Sequence, residues 1–335
     1  MASVREAVLR VVRVLRVLRV AILSLSWMVV LALTIVTGFH LTRREPWTLI
    51  VGLIAVTPWI YMLAWVTAAV GLFGHRRVLA VASLVLVGLQ LWWVVPDFDP
   101  ISHLSRPVPG STSIRLFDAN VSQSNRNLSG IAHEILQDKP QVVTMEELTP
   151  AALRSLQLTH VMGRFRYNLV LPVKGSYGMA MWSSYPLADA TEWYAYGHPE
   201  LRAWLELPHG RRLRLDVVHT DAPYGVGEPM PWANEMQAVR DELAREPRPL
   251  VAVGDLNATW YDWHFQALLS LGLRDAAVVA GRGWQMTWPR DQQPVVPYLR
   301  IDHVLLSKGV SLQSYDLGVG RGSDHHPVLV NISCL

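Results

Sequence analysis

The 335-residue chain has one cysteine, Cys334, and is short of charge. A lone cysteine excludes an intramolecular disulfide and any zinc centre built on several thiolates. Asp, Glu, Lys and Arg make up only 17% of residues, against roughly 25% in an ordinary soluble chain. A disordered chain would show the opposite balance, and 51% hydrophobic content excludes it. There is no internal repeat and no low-complexity tract, so a collagen-like fibre is excluded as well.

The missing charge is concentrated in the first part of the chain. Three runs carry no Asp, Glu, Lys or Arg: Val20 to Leu41 (22 residues), Trp47 to Phe73 (27 residues, with Pro58 near its middle) and Val78 to Val95 (18 residues). About 20 apolar residues span a bilayer core as a helix, so these runs predict three transmembrane helices, the last closing on the interface-type pair Trp92-Trp93. The first run is too long for a signal peptide and lacks an Ala-x-Ala cleavage pattern. Residues 1–96 hold nine Arg and two acids, a net of +7, and the remainder carries −4. The overall +3 therefore describes neither part.

Arginine placement sets an expected topology. Five Arg precede the first run and Arg76-Arg77 separate the second from the third, whereas Arg43-Arg44 between the first two are partly offset by Glu45. The positive-inside rule then predicts a multi-pass protein of the plasma membrane with a cytoplasmic N-terminus and everything after Pro96 outside the cytoplasm. Arg10, Arg13, Arg16 and Arg19, three apart among Val and Leu, suit an interfacial helix on anionic lipid or a plain topology signal. Residues 1–96 thus read as a membrane anchor, 97–112 as a Pro-stiffened linker, and 113–335 as one domain with its own core. In that domain strand-like runs outnumber helical ones and several follow one another directly, which favours two packed sheets with outer helices.

Polar side chains stand at the ends of these runs. Ile114–Asn120 ends in Asn, Gln141–Glu147 in a carboxylate pair, Leu215–His219 in His and Leu250–Asn257 in Gly-Asp-Leu-Asn. Arg300-Ile301-Asp302-His303 opens one strand, and Gly322-Ser323-Asp324-His325-His326-Pro327 precedes the last. Carboxylates are hard ligands for Mg²⁺, Asn donates without adding charge, and His donates to an oxyanion or moves a proton. Metal, base and donors are what phosphoryl chemistry requires.

In their order, these motifs resemble the endonuclease/exonuclease/phosphatase superfamily, the fold of DNase I, exonuclease III-type nucleases, neutral sphingomyelinases and inositol-polyphosphate phosphatases. The resemblance implies a four-layer α/β sandwich, here following three transmembrane helices, and a metal-dependent hydrolase of phosphate esters using Mg²⁺, with Mn²⁺ or Ca²⁺ as substitutes. It implies that Glu147 holds the metal with Asn120, and that Asp324 supports the metal side. Asp255 would orient and deprotonate water, and Asn257 would hold a phosphate oxygen. His325 would donate to the phosphoryl group with Asp302 fixing its ring, and His219 would be a second histidine by the phosphate. Neighbouring strand residues face opposite sides, so Glu146 is expected to point away. His303 and His326 are expected to face away or shape the rim, and Trp288, in Thr287-Trp288-Pro289, to pack in the core. Two departures stand out: Ser122 replaces a second acid common in nucleases, and no acid between Arg164 and Gly178 can pair with His219.

Nucleic-acid binding normally needs a basic footprint. The domain sums to −4, with only Arg211, Arg212 and Arg214 grouped, which argues against nucleic acid as partner. The anchor argues for membrane lipids, with a lipid-linked phosphate in the outer leaflet as substrate. In architecture the chain also resembles membrane proteins of actinobacterial glycopeptide (teicoplanin/vancomycin) resistance clusters, which implies a polyprenyl-type phosphate. The alternatives are a cell-surface nuclease and a non-catalytic envelope binding protein on the same scaffold. Trp260 to Trp263, directly after the Gly-Asp-Leu-Asn motif, could enter a lipid interface or begin a core helix.

Overall fold

A computed structural model describes residues 2–106, 110–223, 230–290 and 294–334. Pro107 and Pro109 of the linker and the terminal Leu335 lie outside the described residues.

The apolar N-terminal region forms helices α1 (Ala2–Thr42), α2 (Thr48–Ala55), α3 (Thr57–Ile60), α4 (Met62–Phe73) and α5 (Arg77–Phe98). Helices α1 and α5 are each long and apolar enough to cross a membrane. The second expected span is not one helix. It bends by 71° between α2 and α3, where Val56 leaves helical geometry and Pro58 sits in the first turn of α3, a position that needs no amide hydrogen. Among the described residues there are therefore two full-length spans, or three if the bent pair counts as one. Helices α4 and α5 approach closely where Gly71 meets Ala80, and a Thr67–Ser83 hydrogen bond (2.8 Å) ties them. Small residues and buried polar ties are the means by which helices associate where apolar burial gives no preference.

The second region contains strands and helices in the order β1 (Thr112–Asn120), α6 (Ser129–Asp138), β2 (Val142–Glu146), α7 (Pro150–Leu158), β3 (Tyr167–Leu171), β4 (Met179–Ser183), β5 (Leu187–Ala195), β6 (His198–Leu207), β7 (Arg211–Val217), α8 (Met230–Arg245), β8 (Leu250–Asp255), α9 (Trp263–Leu269), β9 (Arg274–Asp275), α10 (Ala276–Val279), β10 (Asp302–Leu306), β11 (Val310–Leu317) and β12 (Val328–Cys334). One sheet has the order β11-β12-β1-β2-β4-β3 and the other β5-β6-β7-β8-β10-β9. In each sheet one central pair is parallel, β1 with β2 and β7 with β8, and each is joined through a helix, as a parallel connection requires.

Alternation builds the layers. Ile114 and Leu116 of β1, Val251 and Val253 of β8 and Val304 and Leu306 of β10 lie in the apolar layer between the sheets. Phe117, Ala119, Val143 and Met145 face the other way, onto α6 and α7. Leu250, Ala252 and Leu305 face α8 and α9. The result is the expected four-layer α/β sandwich. The linker is laid along this domain rather than free: His103 N–H donates to Val279 O and Ser105 N–H to Leu312 O, both at 2.8 Å.

The helical region and the second region share a polar seam. Arg300 is buried between the carboxylates of Asp97, at the end of α5, and Asp275. Tyr261 donates to Asp97 (2.8 Å), Trp263 N–H to Glu45 (2.7 Å) and the Trp59 indole to Tyr298 O (2.9 Å). Val51 of α2 is buried in the same cluster as Trp232 and Phe265 of the domain.

Candidate active site

The parallel pairs place their C-terminal ends at one edge of the sandwich, where open α/β sheets bind ligands. Asn120 ends β1, Glu146 ends β2, His219 follows β7 by two residues, and Asp255 ends β8. Strand β10 runs antiparallel to β8 with Asp302 opposite Asp255. With a period of two, Asn120, Asp255 and Asp302 inherit the inner face from Leu116, Val253 and Val304. They therefore project from the end of the intersheet layer. Gly254 permits this packing: at φ +135° a Cβ there would stand 2.1 Å from Val218 O.

Glu146 and Glu147 divide differently from the expectation. Alternation gives the inner face to Glu146, which is buried between the sheets beside Asp118, itself accepting from Thr144 Oγ1 at 2.6 Å. Burial and the Asp118 carboxylate hold Glu146 well above the usual carboxyl range, and burial pushes Asp118 up to about 7. Glu147 reaches the site because the strand has ended and its backbone turns through φ +54°.

The side chains then converge. Asn120 Nδ2 donates to Glu147 Oε1 (3.2 Å) and Asp255 Oδ2 (3.0 Å), and Gln123 N–H donates to Glu147 Oε2 (2.6 Å). His219 Nε2 stands 4.0 Å from Glu147 Oε1 and 3.9 Å from Asp255 Oδ2. His325 Nε2 is 3.7 Å from Asp255 Oδ2, and its Nδ1 is 3.0 Å from Asp302 Oδ2. Thr287 Oγ1 accepts from Ile301 N–H (3.1 Å) and Asp302 N–H (3.3 Å), and Ser323 Oγ donates to Asn120 O (2.7 Å) while accepting from His325 N–H (3.0 Å). Thr287 and Ser323, which sequence reasoning missed as supports, thus hold the two sides of the site in register. Their only signal was position: Ser323 two residues before His325, and Thr287 beside Trp288.

Charge is set by surroundings. Burial and the Asp302 carboxylate push Asp255 up to about 8. Burial disfavours the charged form of His325, but Asp302 and Asp255 outweigh it and raise the imidazole to about 10. Burial lowers His219, whose Nδ1 has no hydrogen-bond partner among the described residues.

Two other candidates sit at the rim. Asn257 takes φ +45°, gives one amide hydrogen to Thr220 O (2.9 Å) and keeps the other. Asp324 is not hydrogen-bonded to Asn120 or Glu147 among the described residues; it accepts from the Trp288 indole (3.3 Å). Trp288 is half-buried against Tyr298, a rim residue rather than a core one. His303 faces away, with Nδ1 2.7 Å from Asp275 and Nε2 3.0 Å from Ala258 O. The Arg211–Arg214 group is largely occupied: Arg214 is buried and 3.2 Å from Glu246, and Arg212 is 3.3 Å from Asp189.

Glu147 Oε1 and Asp255 Oδ2, joined through the Asn120 amide NH2, present hard carboxylate oxygens that fit a divalent cation, while Asn120 Oδ1 accepts from Ser122 N–H (2.9 Å). Asp255, Asp302 and His325 also lie close enough together to hold one.

Residues 114–325 match the Endonuclease/Exonuclease/phosphatase family, and the chain belongs to it. Membership places the protein among metal-dependent hydrolases of phosphate esters. Among curated proteins none matches the chain in sequence. Solved structures share the fold. D. rerio TDP2 complexed with single-strand DNA product is 18% identical, with TM-score 0.55, covering 66% of this chain and 99% of its own. The human Nocturnin catalytic domain with bound sulfate is 18% identical, with TM-score 0.52, covering 67% and 95%. A family protein from Beutenbergia cavernae is 15% identical, with TM-score 0.52, covering 66% and 72%.

Proposed function

We propose that the protein is a membrane-anchored, Mg²⁺-dependent phosphoesterase whose active site faces outward from the cytoplasm and hydrolyses a lipid-linked phosphate, pyrophosphate or phosphodiester. One observation carries the lipid part. Tyr261 and Trp263, which bond to Asp97 and Glu45 of the helical region, follow Asn257 by four and six residues, and Trp59 reaches Tyr298 beside the rim residue Trp288. The catalytic edge is therefore the edge tied to the helices. The neutralised Arg212 and Arg214 and the −4 domain speak against a nucleic-acid footprint.

In this reading Glu147 and Asn120 hold the cation, with Asp324 at the outer side. The ion supplies charge to offset that of the phosphoryl group. Asp255, ionised, takes the proton of an attacking water. His325, kept cationic by Asp302, donates to a phosphoryl oxygen, and the free amide hydrogen of Asn257 binds another. His219, held neutral by burial and with no carboxylate on its Nδ1 among the described residues, is a hydrogen-bonding wall of the site rather than a proton store. The test is phosphate or headgroup release from lipid vesicles by the purified full chain, with Asp255→Ala and His325→Ala as controls. Mg²⁺-dependent release lost in both variants is expected. Release that survives either substitution, or that needs no divalent ion, overturns the reading.

A further inference from the structure

A cavity of about 720 Å³ lies between the anchor and the catalytic domain. Phe39 of α1 and Trp92 and Trp93 of α5 form one wall, and Trp260, Tyr261 and Leu269 the other. We propose that this cavity seats the hydrocarbon chain of a phosphate-bearing membrane lipid, leaving its headgroup at the catalytic edge; the inference deepens the lipid reading above and rests on it for the phosphate.

The volume is that of a small-molecule site. The aromatic side chains of the first wall come from the ends of the two long apolar helices, at the level where Trp and Tyr favour the membrane interface. A hydrocarbon chain can therefore enter from the bilayer without crossing water.

Polar groups in the cavity are left without partners. The Glu45 side chain is 2% exposed; Oε1 accepts from Trp263 N–H, but Oε2 has no hydrogen bond among the described residues and stands 3.9 Å from His264 Nε2. His40 stacks on Trp93 at 3.9 Å, and its Nε2 is likewise unpartnered. Burial and the nearby Asp262 push Glu45 up to about 8, so at neutral pH it presents an O–H to a ligand rather than a repelling charge. Arg43, stacked over Trp263 at 5.3 Å, adds the only cation bordering the cavity among the described residues. A buried unpaired acceptor and donor beside a cation suit polar oxygens where a lipid chain joins its headgroup.

The reach is short. Trp260 is three residues from Asn257, so their Cα atoms lie within about 11 Å even if the chain is fully extended. A chain held at Trp260 leaves its phosphate within one headgroup of the site.

The experiment uses the purified full chain with two probes, a polyprenyl phosphate and a phosphatidate, each carrying a photoreactive group in its chain. Ser270 borders the cavity and hydrogen-bonds to Ala267 O (2.6 Å), so Ser270→Trp fills the space from the domain side. Leu269→Trp is the second variant should the first not fold. Labelling is expected on residues 39–41, 92–96 and 260–270 and is lost in the filled variant; the probe that labels identifies the chain. The ratio of kcat/KM for a long-chain phosphate over a water-soluble short-chain ester is expected to fall about tenfold, with short-chain turnover unchanged. Labelling that ignores the substitution, or an unchanged ratio, overturns the cavity proposal while leaving hydrolysis intact. Absence of turnover on every phosphate ester overturns the proposed function instead, and the labelling pattern still decides the cavity.

Discussion

Asp255 and His325 stand 3.7 Å apart; the Asp255 carboxylate favours the proton on His325, whereas Asp255 is held protonated by burial and Asp302 against the pull of the His325 cation. With Asp255 raised to about 8, most of it is protonated at pH 7 in the metal-free protein. A divalent cation favours the carboxylate, so metal titration at pH 7 should release close to one proton, falling toward zero above pH 9. Asp255→Asn should abolish the release, which a weakly buffered pH titration reads directly. Asp255→Ala and His325→Ala should each lower kcat by about 10²- to 10⁴-fold, as expected for a lost base or oxyanion donor. Much of this set was legible because strand ends announce themselves as apolar runs broken by Asn, Asp or His. The buried Asp118–Glu146 pair was not, because a carboxyl beneath a site looks, in sequence, like one within it.

At the scale of elements, the seam between anchor and domain gathers the buried charge. Arg300→Ala strands Asp97 and Asp275, a loss of about 3–5 kcal/mol by the usual cost of breaking a buried ion pair. Thermal unfolding should register it, and proteolysis of the 99–106 linker should accelerate. Glu45 gives the seam a pH dependence. Its carboxyl is raised from an ordinary 4.5 to about 8, so the folded state favours the protonated form. The stability this contributes is complete below about pH 4.5 and is lost as pH rises through 8. Melting temperature should therefore fall from pH 6 to pH 9, and Glu45→Gln should flatten that slope; an equal slope in the variant would refute the assignment. Strands buried on both faces, such as Val142–Glu146 and Leu250–Asp255, were plain in the sequence. The β5–β6 hairpin was not: Asp189 to Glu192 is exposed, and β6 opens on His-Pro and carries charges throughout. The place of helix α2 against the domain was not legible for a physical reason. Burial against protein and burial in lipid select the same side chains, so Thr48–Ala55 reads as membrane although Val51 is buried against the domain.

For the whole molecule, the +3 charge resolves into a +7 anchor and a −4 hydrolase domain. Residues 114–325 account for the family match, and residues 1–96 lie before it. If arginines set the topology, reporters fused at the two ends should place the N-terminus inside and the C-terminus outside. A cytoplasmic C-terminus would remove the outer-leaflet substrate. The central claim is tested most directly by offering the reconstituted full chain a vesicle-borne lipid phosphate and a single-stranded oligonucleotide together with Mg²⁺. The account predicts phosphate release from the lipid, none with Asp255→Ala, and an intact oligonucleotide. Salt-sensitive cleavage of the oligonucleotide with the lipid untouched would contradict it.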